Sequence, residues 1–121
     1  MRVGVKSYKE LIAYQRSYEL VKVIYSITRA FPKEEVYGMT SQMRRSAISI
    51  PSNIAEGYMR GSKEYIQFLK VASGSCAELE TQLSLSRDLG FCNDLELEKA
   101  HMLNTETMKL LTTYINKLSV R

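Results

Sequence analysis

Gln42-Met43-Arg44-Arg45-Ser46-Ala47-Ile48-Ser49-Ile50-Pro51-Ser52-Asn53-Ile54-Ala55-Glu56-Gly57 is the stretch on which the fold turns. Met43, Ala47, Ile50 and Ile54 recur at steps of four, three and four, so they share one face of a helix. Pro51 lacks a backbone donor and crowds the carbonyl four residues back, which predicts a bend. Asn53 and Glu56 are polar beside the most apolar positions and need partners there. The segment therefore reads as an amphipathic helix packed among several neighbours, over about residues 39–57, with Thr40 or Ser41 as its N-cap and Gly57 as its left-handed C-terminal cap.

Working outward, the chain before it opens a helix over about residues 8–30. Ser7-Tyr8-Lys9-Glu10 has the form of a capping box, and Pro32 stops the helix by constraining Phe31. This helix carries two apolar stripes. Leu11, Tyr14, Tyr18, Val21 and Tyr25 make one; Leu20, Ile24, Ile27 and Phe31 make the other. A surface helix needs only one. The tyrosine stripe either widens the core face or is buried at a subunit contact, where aromatics are enriched. Stacking on nucleic-acid bases is a third use for such tyrosines.

After Gly57, a helix is predicted over about 63–89. Tyr65, Phe68 and Leu69, Ala72, Cys76, Leu79 and Leu83 follow its inner face, Ser62 caps its start and Gly90 ends it. Small residues at 72–75 and 77 permit close approach of another helix. A last helix is predicted over about 94–119, capped by Asn93. Its stripe is read as Leu95, Met102, Thr105, Met108, Thr112 and Ile115, broadened by Leu103, Leu110, Leu111, Tyr114 and Leu118. Lys117 and Arg121 suit its C-terminal end. Four amphipathic helices with short connections make an all-α, antiparallel up-down four-helix bundle, one domain over 1–121.

Several functions are disfavoured. Gly57-Tyr58-Met59-Arg60-Gly61-Ser62-Lys63 is one residue short of a phosphate-binding loop and joins helix to helix, so nucleotide binding is rejected. A single phosphate of a polymer at the following helix N-terminus, beside Arg60 and Lys63, remains open, as does a plain polar turn. The lone His101 has no nucleophile or metal-ligand pattern around it, and no paired carboxylates stand out. No enzymatic activity, metal or cofactor is expected. Met1-Arg2-Val3-Gly4-Val5-Lys6 lacks the apolar core of a secretory signal, no apolar run is long enough for a bilayer, and two cysteines fall short of a disulfide framework. A cytoplasmic protein without a membrane role is expected.

Charge points to a partner. The net charge is +4, and residues 1–60 hold ten of the 17 basic residues but five of the 13 acidic ones. Such asymmetry suits nucleic acid, although an ordinary solvated surface with a mild bias gives the same numbers. The candidate contacts are Arg44, Arg45 and Arg60, then Arg16, Lys22 and Lys63. Arg44 and Arg45 point about 100° apart on a helix. One is free to meet phosphate while the other pairs with an acid such as Glu56, in its own or the next subunit.

Phe31-Pro32-Lys33-Glu34-Glu35, the run from Tyr37 to Ala47, Ser49 to Gly57, Glu64 to Leu69 and Ala77 to Leu83 resemble the "four helix bundle protein" family, which includes proteins encoded in intervening sequences of bacterial 23S ribosomal RNA genes. The resemblance covers nearly the whole chain. It implies a four-helix subunit and a homopentamer with a central opening. It also implies kinship with the basic accessory proteins that work with reverse transcriptases in diversity-generating retroelements. The partners it suggests are further copies of the chain, RNA or DNA, and a reverse transcriptase or another protein. A pentamer would carry about +20 and could align its basic patches on one rim. The rival reading is a protein-interaction scaffold in which Tyr18, Tyr25, Pro51, Asn53 and Glu56 serve assembly.

Overall fold

The computed structural model describes residues 7–120. The readings made on Met1–Lys6 and on Arg121 lie outside the described residues. Four α-helices follow one another: α1 (Ile12–Thr28), α2 (Met39–Arg60), α3 (Ser62–Asp88) and α4 (Asp94–Ser119). They pack in a closed cycle, α1 on α2, α2 on α3, α3 on α4 and α4 back on α1. The short connections make successive helices antiparallel.

The core face of α2 is the one its spacing demands: Met43, Ala47, Ile50 and Ile54 are fully buried. The inner face of α3 follows, with Tyr65, Leu69, Ala72, Cys76, Leu79 and Leu83. Burial pushes the Cys76 thiol up to about 12, and partial burial beside Glu96 and Asp94 pushes that of Cys92 up to about 11. Both stay protonated, the opposite of an activated thiolate.

On α1 the true core stripe is Ala13, Ser17, Leu20, Ile24 and Ile27, continued by Phe31. Of the tyrosine stripe, Leu11 is buried in the core, while Tyr14, Tyr18 and Val21 turn toward α2. On α4, by contrast, the expected stripe is displaced. Leu97, Ala100, Asn104, Thr107, Leu111 and Leu118 are buried, whereas Leu95 and Met102 stand 79% and 67% exposed. Polar residues hold two core positions. Asn104 reaches across to donate to the Cys76 carbonyl at 2.9 Å, and Thr107 donates to the Leu103 carbonyl at 2.7 Å. These donors are satisfied inside the core, although Asn104 Oδ1 is buried without a hydrogen-bond partner among the described residues.

The helix ends differ from the expected ones in four places. Ser7 caps a single 3-10 turn, Tyr8–Glu10, by accepting from the Lys9 N–H; an extended Leu11 then separates that turn from α1. The start of α2 is capped from outside, the Glu35 carboxylate accepting from the Met39 N–H at 3.0 Å, so neither Thr40 nor Ser41 does it. Gly57 is not a cap: α2 runs on to Arg60 and turns at Gly61, whose φ of 106° is a glycine conformation. Ser62 is the first residue of α3 and does not cap it. At the far end of α3, Gly90 takes a φ of 76°; its N–H bonds the Arg87 carbonyl and that of Phe91 the Ser86 carbonyl, a Schellman closure.

Candidate nucleic-acid interface

Adjacent arginines on a helix diverge, and here the divergence separates their tasks. Arg44 leans toward α1. Its Nε donates to the Thr28 hydroxyl at 2.9 Å, and its guanidinium lies 4.4 Å from the centre of the Tyr25 ring. A cation on an aromatic face is held by the ring quadrupole as well as by its hydrogen bond. Arg45 points outward, exposed, and forms no ion pair or hydrogen bond among the described residues. Glu56 pairs with neither of them. It accepts from Arg60 at 2.9 Å, one helical turn on.

The six expected contacts do not form one cluster. Arg16 sits on the α4 side of α1 and pairs with Glu106 at 2.9 Å. Lys22 stands on the α2 side of α1, 3.4 Å from Glu19. Arg60 is held between Glu56 and Glu64, the latter at 3.5 Å, at the opposite end of α2 from Arg44. That end lies about 24 Å away at ~1.5 Å per residue. Lys63, beside it, is exposed and unpaired among the described residues. What the fold does gather is an arginine group at the α1–α2 end. Arg29 follows Thr28 at the C-terminus of α1, exposed and without an ion pair among the described residues, and Arg44 reaches Thr28 from α2. Arg29 is not among the residues singled out from the sequence, though its spacing of seven from Lys22 places both on one face of α1.

The assembly candidates divide in the same way. Asn53 is half-buried and satisfied within its own helix, donating to the Ser49 carbonyl at 2.7 Å and to the Ser49 hydroxyl at 3.0 Å. The demand read into Asn53 and Glu56 is thus met inside one subunit. Tyr18 and Pro51 instead line a groove of about 400 Å³ between α1 and α2, together with Tyr14, Val21, Lys22, Ile48, Ser52 and Ala55. Tyr18 is 54% exposed there and Ile48 41%. Tyr25, about two turns further along α1, serves as the platform for Arg44.

Among the described residues no group of three or more His, Cys, Asp and Glu side chains is placed to hold a metal ion, and no helix is long and apolar enough to cross a membrane. His101 Nδ1 lies 3.4 Å from the Glu80 carboxylate, a helix-to-helix contact between α4 and α3.

Residues 9–113 match the model of the family described as 23S rRNA-intervening sequence protein. A crystal structure of a protein with unknown function from the S23 ribosomal protein family of Bacteroides thetaiotaomicron VPI-5482 is similar at 24% identity and a TM-score of 0.77, covering 87% of this chain and 96% of that one. That likeness concerns the fold. No curated protein matches.

Proposed function

Since the chain belongs to the 23S rRNA-intervening sequence protein family, we propose that it is a non-catalytic, basic, cytoplasmic protein that assembles into a homo-oligomer and binds nucleic acid through backbone charge and shape. The observation that carries this reading is the arginine group at the α1–α2 end. Arg29 and Arg45 are exposed and without an ion pair among the described residues, while Arg44 is fixed beside them by Thr28 and Tyr25. Unpaired guanidinium groups near a rigidly held third one suit the bidentate recognition of phosphate. With no base-reading motif, affinity rests on counter-ion release and sequence preference is weak. A pentamer, as the family resemblance implies, would repeat the group five times around one rim. A reverse transcriptase or another protein is the partner that the same resemblance suggests.

A second reading, a scaffold whose function is assembly itself, is favoured by the α1–α2 groove, where Tyr18 and Ile48 leave apolar surface uncovered in the single subunit.

The test is a fluorescence-anisotropy titration against a labelled structured RNA and a matched DNA duplex, at low and near-physiological salt, with oligomeric state measured in the same buffers. Arg29→Gln/Arg45→Gln removes exposed, unpaired charges and should leave the fold intact. Its binding should weaken, and the log–log salt slope on duplex DNA should flatten by about 0.9 for each phosphate that is no longer neutralised. Retained affinity and slope in a variant that still assembles would overturn the nucleic-acid assignment and leave the scaffold reading.

A further inference from the structure

The α1–α2 groove has a complement elsewhere on the same chain. Leu95, Glu98 and Met102 lie at steps of three and four on α4, so they form one outward ridge. Its two apolar members are among the most exposed large hydrophobic residues of the molecule, at 79% and 67%. Glu98 between them is exposed and has no ion pair among the described residues. The groove is apolar, and its one charged lining residue is Lys22, held by a 3.4 Å surface pair to Glu19 that exchanges readily for another acid. Leu95 to Met102 spans about 10 Å and Tyr14 to Lys22 about 12 Å, at ~1.5 Å per residue.

From this match of apolarity, charge and length we infer that the α1–α2 groove receives the Leu95–Glu98–Met102 ridge of a second copy, with Glu98 of that copy meeting Lys22. The inference rests on the assembly part of the proposed function and specifies its contact. A helix laid into an apolar groove is a recurrent recognition mode. Groove-to-groove pairing is disfavoured because it sets Lys22 of one subunit near Lys22 of the other and brings only the Glu19 that each already holds, with no unpaired acid gained. The pairing is heterologous: groove and ridge lie on different helices, so every subunit offers both and the contacts propagate from copy to copy, forming a ring where the rotation closes. Arg29 and Arg45 are no part of the contact and remain available to phosphate.

Single-cysteine trapping tests this. In a Cys92→Ser background, with Cys76 fully buried, one pool of protein carries Ile48→Cys and others carry Leu95→Cys or Met102→Cys. Ile48, Leu95 and Met102 are exposed in the subunit and Cys92→Ser is a near-isosteric change at a partly buried position, so folding should be retained, which circular dichroism checks. Mild oxidation of an Ile48→Cys pool mixed with a ridge pool should give a covalent dimer, and each pool oxidised alone should give several-fold less. Cross-linking of Ile48→Cys with itself would overturn the inference in favour of an isologous groove contact. No cross-link with either ridge cysteine, from a protein that sediments as an oligomer, would place assembly on another surface and overturn the inference while leaving the assembly reading standing. A wild-type protein that sediments as a monomer at micromolar concentration would bring down that reading and the inference with it.

Discussion

The two flanks of α2 are finished differently. Toward α3 the seam is closed. Gly57 brings the backbone of α2 against Phe68 and Tyr65 of α3; Ser46 donates to Glu78 at 2.9 Å, and the hydroxyls of Ser49 and Ser75 share a 2.8 Å bond. Every one of these polar groups faces another across the seam. Toward α1 the flank is closed only at its start, where Arg44 donates to Thr28 and lies on Tyr25; beyond that turn it is left open, Ala55 fills little space, and Tyr18 and Ile48 remain uncovered over the groove. One helix thus carries a face completed within the subunit and a face that is not. Changes on the closed flank should act on folding, and changes on the open flank on association.

The largest effect is expected at Gly57. A Cβ built there would sit 2.6 Å from Phe68 Cβ and 3.1 Å from Tyr65 Cδ1, and the Phe68 Cβ is anchored to its backbone and cannot swing aside. Alanine ordinarily gains roughly 0.5–1 kcal/mol over glycine in a helix. Here overpacking should outweigh it, and Gly57→Ala should lose about 1–3 kcal/mol by urea denaturation. Gly74, on α3 with nothing within 4 Å of a built Cβ, is the control: Gly74→Ala should gain by the ordinary propensity. Equal responses at the two sites would mean that α2 and α3 are not in close contact.

That glycine also shows where sequence reading stops. Gly57 and Gly61 are both plausible helix ends by composition, and only the approach of Phe68 distinguishes the packing glycine from the turning one. The inner faces of α2 and α3 are legible because an unbroken apolar run recurs there at steps of three and four, with polar residues such as Ser46 and Ser86 buried beside it or past its end rather than within it. On α4 the core includes Asn104 and Thr107, so the apolar pattern points to Leu95 and Met102, which the fold turns outward. Periodicity finds a core only where the core is apolar. For the candidate site, the separation of Arg44 from Arg45 is legible from the helical step. The platform for Arg44 is not, because Thr28 and Tyr25 lie on another helix. The ion pairs that occupy Arg16 and Lys22, one of them with α4, are likewise invisible in the spacing.

A middle-sized effect is expected at Asn53, on the α3 side of α2. Its amide makes two hydrogen bonds to Ser49, so Asn53→Leu should cost about 1 kcal/mol of subunit stability, the usual net value for such bonds. Association should be unchanged by sedimentation velocity, because the side chain is already satisfied within its own helix. Loss of the oligomer on this substitution would show that the closed flank also carries a subunit contact, and the contrast between the flanks would fail.

The smallest effect on folding, and the most informative, belongs to Ile48. In the isolated subunit Ile48 is 41% exposed, so Ile48→Ser removes a side chain that is only partly buried. Measured at concentrations low enough for subunits to be separate, stability should fall by less than about 1 kcal/mol, below the centre of the range for point substitutions. At higher protein concentration the outcome should reverse. Wild-type stability should rise with concentration, since association stabilises only the folded subunit, and the Ile48→Ser variant should lose that dependence. Sedimentation velocity on the same samples should show the variant shifted toward smaller species. A variant that keeps both the concentration dependence and the oligomer would make the groove an ordinary surface crevice. A variant that unfolds even when dilute would mean that Ile48 supports the α1–α2 packing itself, and the open flank would then be as much a folding surface as the closed one.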